Sequence, residues 1–216
     1  WGDMAVLYRT NAQSRSIEES LVRWGIPYIV VGGLRFYDRR EIKDLLAYLR
    51  LLVNPADTVS LLRVINVPKR GIGKTTIQRL TDAANQLGIP LWDVVSDAEA
   101  VRSLGGRSAR GLLQFCELLH DLRRQVQEVA PSELIQQVME KSGYVSELIA
   151  EGTDEAEERR RNLQELVNAA LQYQEENEEG DLEGFLATAA LSSDADSKDT
   201  AADRVTLMTL HSSKGL

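Results

Sequence analysis

The densest run of chemistry-bearing residues is Pro68-Lys69-Arg70-Gly71-Ile72-Gly73-Lys74-Thr75-Thr76, which sets cations, glycines and hydroxyls side by side. That mixture suits phosphate: glycine lets an anion approach the backbone, and a following helix offers unpaired N–H groups. Two enzymatic versions fail on spacing. A Walker A loop needs Gly five positions before the Gly of Gly-Lys-Thr, and Pro68 stands there. A dinucleotide fingerprint needs a third Gly where Thr76 stands, and a preceding strand inside a βαβ unit.

What remains is an apolar helix from Leu61 to Val67, a short Gly-Ile-Gly hairpin, and an amphipathic helix from Thr75 to Leu87. Lys69, Arg70 and Lys74 add charge to the hairpin. The arrangement resembles the helix-hairpin-helix module, which grips the backbone of duplex DNA without reading bases. Taken alone, the same residues also describe a tight interhelical turn that uses glycine for a positive φ, with its cations merely solvated.

Two further polar sets stand at the ends of expected strands. Arg9 and Asn11 follow the apolar run Met4 to Tyr8, and His211, Ser212, Ser213 and Lys214 follow Thr206 to Leu210. Side chains just past a strand's carboxyl end can meet a ligand, or can simply close the strand with hydrogen bonds. Cys116 and His120 lie four apart on one expected helix, but two ligands rarely make a metal site, so both read as structural. The carboxylates from Asp154 to Glu158 and Glu175 to Glu179 lack the alternating pattern of a calcium loop and read as a solvated, ion-paired helix.

The elements that must position these residues follow from periodicity. Met4 to Tyr8, Ser14 to Trp24 and Tyr28 to Val31 read as strand, helix, strand. Beyond Gly33 the pattern is helical. Arg39 to Val53 puts Ile42, Leu45, Leu46, Leu49 and Leu52 or Val53 on one stripe and stops at Asn54-Pro55. Helices are expected over Thr58 to Val67, Thr75 to Leu87, Leu91 to about Leu104, Ser108 to Val129, Ser132 to about Ala150, and Asp154 to about Asn177. The last should turn Leu163, Leu166, Val167, Ala170 and Leu171 inward, and Asp181 should cap a shorter helix. Ser192 to Asp203 has no large apolar residue and reads as a linker before the final strand. The fold class is mainly α: a helical bundle with a few short strands contributed by both ends.

Composition bounds the rest. The 216 residues carry a formal net charge of -8, which argues against a purely electrostatic nucleic-acid binder. The average hides a split: Arg35 to Arg79 nets +6 and Glu151 to Asp203 nets -12. A basic first half can meet phosphate while the acidic half faces water or a basic partner. The single Cys116 excludes an internal disulfide, no apolar run approaches membrane-helix length, and a reducing cytoplasm is expected. The opening directly into a strand, and the stop just after His211-Ser212-Ser213-Lys214-Gly215-Leu216, read as the ends of an excised piece.

Taken in order, Tyr8-Arg9-Thr10-Asn11-Ala12-Gln13-Ser14-Arg15, Val31-Gly32-Gly33-Leu34-Arg35-Phe36-Tyr37, Arg40-Glu41-Ile42-Lys43-Asp44, Asn66-Val67-Pro68-Lys69-Arg70-Gly71-Ile72-Gly73 and Thr209-Leu210-His211-Ser212-Ser213-Lys214-Gly215-Leu216 closely resemble the UvrD/PcrA/Rep-type superfamily 1 DNA helicases. The resemblance covers the whole chain. It implies a RecA-like domain, 2A, interrupted by a helical insertion, 2B: residues 1–32 and 204–216 would belong to 2A and residues 33–203 to 2B. It further implies duplex contacts from Gly71, Ile72, Gly73, Lys74 and Thr75, supported by Lys69, Arg70, Arg39 and Arg40, and single-strand contacts from Arg9, Asn11, His211 and Lys214. The parent would be an ATP-dependent 3′ to 5′ helicase of DNA repair or replication using ATP and Mg²⁺. This piece lacks the Walker lysine, the Asp-Glu pair and an arginine finger, and should not hydrolyse ATP alone. Implied partners are DNA of both kinds without sequence preference, domains 1A and 1B, and the rest of 2A, in a bacterial, nucleoid-associated setting. The linkers near Gly32-Gly33 and Ser192 to Asp203 would be hinges. The competing expectation is a protein-interaction module whose acidic half recruits a repair, replication-initiation or RNA polymerase partner.

Overall fold

The first and last segments of the chain meet in one sheet. Strand β1 (Ala5–Tyr8) leads through a 3-10 turn (Asn11–Gln13) into helix α1 (Ser14–Arg23) and strand β2 (Tyr28–Val31). The chain then leaves the sheet and returns as β3 (Val205–Thr209), which inserts between β1 and β2, parallel to both. Tyr8 lies opposite Thr209 and Val31 opposite Met208, so all three strands end on the same side. The computed structural model describes residues 1–194 and 203–215.

Between β2 and β3 lie α2 (Arg40–Val53), α3 (Thr58–Val64), α4 (Lys74–Leu87), α5 (Leu91–Ser96), α6 (Ala98–Leu104), α7 (Ala109–Arg124), α8 (Pro131–Lys141), α9 (Tyr144–Glu151), α10 (Asp154–Glu176) and α11 (Leu182–Asp194). The protein is thus mainly α with a few short strands, as its patterning indicates. Helix α2 is the axis of the bundle: Ala47, Tyr48 and Leu51 are buried along with the expected stripe, so this helix is enclosed nearly all round.

Two expected helices are each broken. Leu91 to Leu104 splits at Asp97, whose extended backbone and side chain, accepting from Glu99 N and Ala100 N, start a new helix. Ser132 to Ala150 splits at Gly143, where φ is +84°. Helix α7 stops at Arg124 rather than Val129, and α3 stops at Val64. Ser192 to Asp194 belong to α11, and most of the expected linker, residues 195–202, lies outside the described residues. Asp181 does cap α11, accepting from Gly184 N at 2.9 Å.

Two apolar clusters result. The large one runs from Phe36 to Ala189 and includes Tyr48, Phe115, Leu163 and Leu166; the small one is Tyr8, Tyr28, Val205 and Leu207, backed by Ile17 and Leu21 of α1. Leu171, expected inward, is 45% exposed. A polar seam joins the clusters. Along α10, Glu158, Asn162, Glu165, Gln172 and Glu176 recur at helical spacing on one face. They meet Asn11, Arg39, Arg15 and Arg23 across the seam. The expected solvated carboxylate helix is therefore in part an internal contact surface.

Candidate nucleic-acid interface

The Gly-Ile-Gly hairpin is held from behind by side chains both near it and remote from it in sequence. Asn66 Oδ1 accepts from the backbone N–H of Arg70 at 2.8 Å and of Ile72 at 3.1 Å, and the Ile72 side chain is buried in the large cluster. The Arg70 guanidinium turns inward. It donates to Tyr48 Oη at 2.7 Å and to the carbonyls of Pro68 at 3.0 Å, Ser142 at 3.1 Å and Val64 at 3.3 Å, and it lies over the Phe115 ring. Tyr48, enclosed by the core, has its ionisation pushed up to about 12, burial outweighing the opposing Arg70 charge. Arg70, expected to meet phosphate, is half-buried and turns its guanidinium to these partners.

The outer side of the same hairpin is open. A Cβ added at Gly71 or Gly73 would meet nothing within 4 Å, and Lys69, Gly71, Gly73, Lys74 and Thr75 are exposed. Gly71 has φ +71°, and Gly73 is the extended N-cap residue of α4, which has no side-chain cap. A helix N-terminus without a capping side chain, fronted by glycine and flanked by lysines, fits a phosphate.

A second loop is braced against this one, and sequence reasoning missed it. Ser108 precedes α7, where a serine usually caps, yet its hydroxyl donates to Gly71 O at 2.8 Å and leaves α7 without a side-chain cap. Gly111 packs so tightly on the hairpin that a Cβ there would lie 2.3 Å from Arg70 O. This contact sets the exposed Arg107 and Arg110 beside the hairpin. The only sequence signal was the run Gly105-Gly106-Arg107-Ser108-Ala109-Arg110-Gly111, which repeats the mixture of glycine, cation and hydroxyl.

Arg40 and Arg39 part company. Arg40 is 71% exposed, its Nε 3.8 Å from Asp44. Arg39 is buried, donating to Ser14 Oγ at 2.6 Å, Asn162 Oδ1 at 3.0 Å and Leu34 O at 3.3 Å. Burial lowers its pKa, with Glu18 the largest opposing influence. Glu18, equally buried, accepts from Ser14 Oγ, Tyr28 Oη and Phe36 N. Arg39, expected among the phosphate contacts, is thus buried within the seam.

The other polar set converges at the carboxyl ends of the strands, where parallel sheets bind ligands. Arg9 and His211 are exposed there. The backbone of Lys214 lies in the 3-10 turn Ser212–Gly215, and its side chain is outside the described residues. Gly32 closes the set: with φ +75°, a Cβ on it would lie 2.6 Å from Ser212 Oγ. Asn11 is half-buried and donates through Nδ2 to Glu158 of α10. Behind them the Tyr8 hydroxyl is buried with no hydrogen-bond partner among the described residues; its pKa is raised by burial and then by Glu18.

Cys116 and His120 sit apart from both surfaces. The thiol donates to Val95 O at 3.0 Å and burial pushes its pKa up to about 12, while the imidazole packs on Trp92. No described helix is long and apolar enough to cross a membrane.

The family model described as the UvrD-like helicase C-terminal domain matches residues 1–216. An ATP-dependent DNA helicase PcrA of Leuconostoc citreum is 41% identical over 222 residues, covering 100% of this chain and 30% of that protein. A protein of the same name from Staphylococcus aureus strain Mu50 is 42% identical over 216 residues, covering 99% and 29%. That of Staphylococcus epidermidis is 41% identical over 218 residues, covering 100% and 30%. The chain spans about 30% of the length of these curated relatives.

Proposed function

The chain belongs to the UvrD-like helicase C-terminal domain family, and from that premise we propose that it is the DNA-gripping part of a bacterial, cytoplasmic ATP-dependent DNA helicase. In this reading residues 1–32 and 204–216 are parts of a RecA-like domain 2A, and residues 33–203 are an inserted 2B domain that holds duplex ahead of the fork and regulates unwinding. The observation that carries it is the uncapped start of α4 behind two open glycines, with Lys69 and Lys74 beside it and a second uncapped helix start carrying Arg107 and Arg110 braced against it.

Lys69, Gly71, Gly73, Lys74, Thr75, Arg40, Arg107 and Arg110 then meet duplex phosphates, while Asn66, Arg70 and Ile72 keep the hairpin in shape. Arg9, Asn11, His211 and Lys214 meet the single strand at the sheet end. Such contacts position DNA without reading its sequence. ATP and Mg²⁺ would be held chiefly by the rest of the parent. Among the described residues no group of three His, Cys, Asp or Glu side chains fits a metal ion, and the hairpin lacks Walker spacing. In this reading the chain alone binds DNA without turning over ATP. The alternative of partner recruitment by the acidic half has weaker support, because Glu158, Glu165 and Glu176 are engaged across the seam.

The test is fluorescence anisotropy with duplex and single-stranded oligonucleotides across a salt series. A Lys69→Glu/Lys74→Glu variant and an Arg107→Glu/Arg110→Glu variant are compared with the parent chain, Arg70 being left intact so that folding is preserved. Each lost phosphate contact should reduce the slope of log K against log salt by about 0.9 for duplex. Variants that bind like the parent would reduce the hairpin to a structural turn.

A further inference from the structure

The Asn11–Glu158 contact bears on how the sheet end admits a strand. Asn11 leaves the strand-end set through the 3-10 turn, and its amide is engaged by a carboxylate belonging to the helical body. Glu158 differs from the other members of the seam in this respect. Glu165 and Glu176 each face an arginine, Arg15, which also pairs with Glu19, and Arg23. Glu158 faces a neutral amide; the buried Arg39 feels its charge but is itself committed to Ser14, Asn162 and Leu34.

We propose that Glu158 is a specificity-determining residue of the single-strand site: its carboxylate occupies the Asn11 amide and is exchanged for the incoming strand, so that it opposes single-strand loading without touching the duplex grip. The proposal rests on the single-strand reading of Arg9 and Asn11. Two physical terms act together. A strand that uses the Asn11 amide must displace an ionised acceptor, which forms stronger hydrogen bonds than a neutral one. A phosphate near Asn11 also meets the Glu158 charge, and the two repel across a partly screened surface. The duplex hairpin does not share this contact, since its supports are Asn66, Tyr48 and Ser108. Removing the carboxylate should therefore change single-strand affinity and leave duplex affinity alone.

The experiment measures anisotropy of labelled oligothymidylate and of a blunt duplex with the full 216-residue chain. The proteins compared are the parent, Glu158→Gln, Glu158→Ala, Asn11→Ala and the Asn11→Ala/Glu158→Gln pair, with circular dichroism confirming equal helicity. Glu158→Gln and Glu158→Ala should each tighten oligothymidylate binding about three- to tenfold at low salt. Duplex binding should change less than about twofold, and the gain from Glu158→Gln should be smaller in the Asn11→Ala background, where only its charge component is left. Were Glu158 merely a support for Asn11, Glu158→Ala would weaken binding and Glu158→Gln would not strengthen it, and either result overturns the proposal. If Asn11→Ala binds oligothymidylate like the parent while Glu158→Gln still tightens it, the single-strand reading of Asn11 fails and the proposed exchange at its amide is overturned. Absence of oligothymidylate binding in the parent and in Glu158→Gln alike overturns both.

Discussion

The two polar surfaces of this molecule are made of similar residues by opposite means. The hairpin from Lys69 to Thr75 is contiguous in sequence and rests on the large cluster, with Arg70 and Asn66 fixing its backbone from behind. The sheet end draws Arg9, Gly32 and His211 from three separate strand ends and rests on four buried residues. Its Asn11 is also shared with another element. A rigid contiguous grip suits a ligand held throughout, while a composite surface on a small core suits one that is admitted and released. Straining either region alone shows whether the other responds.

The largest effect is expected at Arg70. Arg70→Ala removes hydrogen bonds to three carbonyls and the Tyr48 hydroxyl and empties the space over Phe115, in a half-buried setting where unpaired groups are costly. It should lower stability by about 3 kcal/mol in a urea titration, whereas Lys69→Ala should stay within about 0.5 kcal/mol. Duplex binding should suffer in both variants, through loss of shape in one and loss of charge in the other. An Arg70→Ala protein of parental stability would mean that the hairpin does not depend on the Arg70 guanidinium.

Gly32→Ala strains the opposite region. The residue has φ +75°, and the new Cβ would push on Ser212, whose hydroxyl bonds Thr209 Oγ1 at 2.9 Å and anchors the turn after β3. A destabilisation of about 2 kcal/mol is expected from backbone strain and the displaced hydroxyl together. Oligothymidylate affinity should fall while duplex affinity holds. If both fall equally, the two surfaces are one cooperative unit and the contrast between them collapses.

How much of this was legible depends on how local each feature is. The hairpin could be read because glycine, cation and helix start lie within nine residues. The direction of Arg70 could not, since a guanidinium beside glycine looks the same whether it faces water or Tyr48, and the tyrosine lies a helix away in sequence. Arg39 misled for the same reason, its acceptors being Ser14 and Asn162. The mainly α class, the strand–helix–strand opening and the long α10 followed from periodicity. The place of β3 between β1 and β2 did not, because strand order leaves no local trace. Glu158, Glu165 and Glu176 were visible as helix carboxylates, but their partners on the first 23 residues were not.

A third prediction uses alkaline pH to separate the cores. Burial raises the Cys116 thiol from 9.0 to about 12 and Tyr48 from 10.0 to about 12. A raised pKa means that the folded state keeps its proton after the unfolded chain has lost it. Stability is therefore complete below about pH 9 and declines as pH rises toward 12, by about 1.4 kcal/mol per pH unit per group. Between pH 9 and 10 the decline comes mainly from Cys116, so Cys116→Ala should flatten it there. Both groups lie in the large cluster, so loss of near-ultraviolet signal from the helical body should track this titration. A decline that Cys116→Ala leaves unchanged would assign the alkaline loss to the buried tyrosines, Tyr37 and Tyr144 of the large cluster ahead of Tyr8 of the sheet core.

The smallest effect on stability is the most discriminating for function. Gly71 and Gly73 flank one buried isoleucine, and neither has a neighbour that a methyl group would strike. They differ in backbone: Gly71 has φ +71°, where an L-residue is strained by about 1 kcal/mol, while Gly73 has φ −82°, which alanine adopts freely. Gly71→Ala should therefore cost about 1 kcal/mol, and Gly73→Ala less than about 0.5 kcal/mol or nothing, since alanine also restricts the unfolded chain. Stability alone would then rank Gly73 as dispensable. If α4 receives a phosphate at its start, however, a methyl group at its N-cap stands where the anion must come, and Gly73→Ala should weaken duplex binding several-fold with folding intact. Duplex binding that follows stability, reduced by Gly71→Ala and untouched by Gly73→Ala, would mean that the glycines serve the turn and not the ligand.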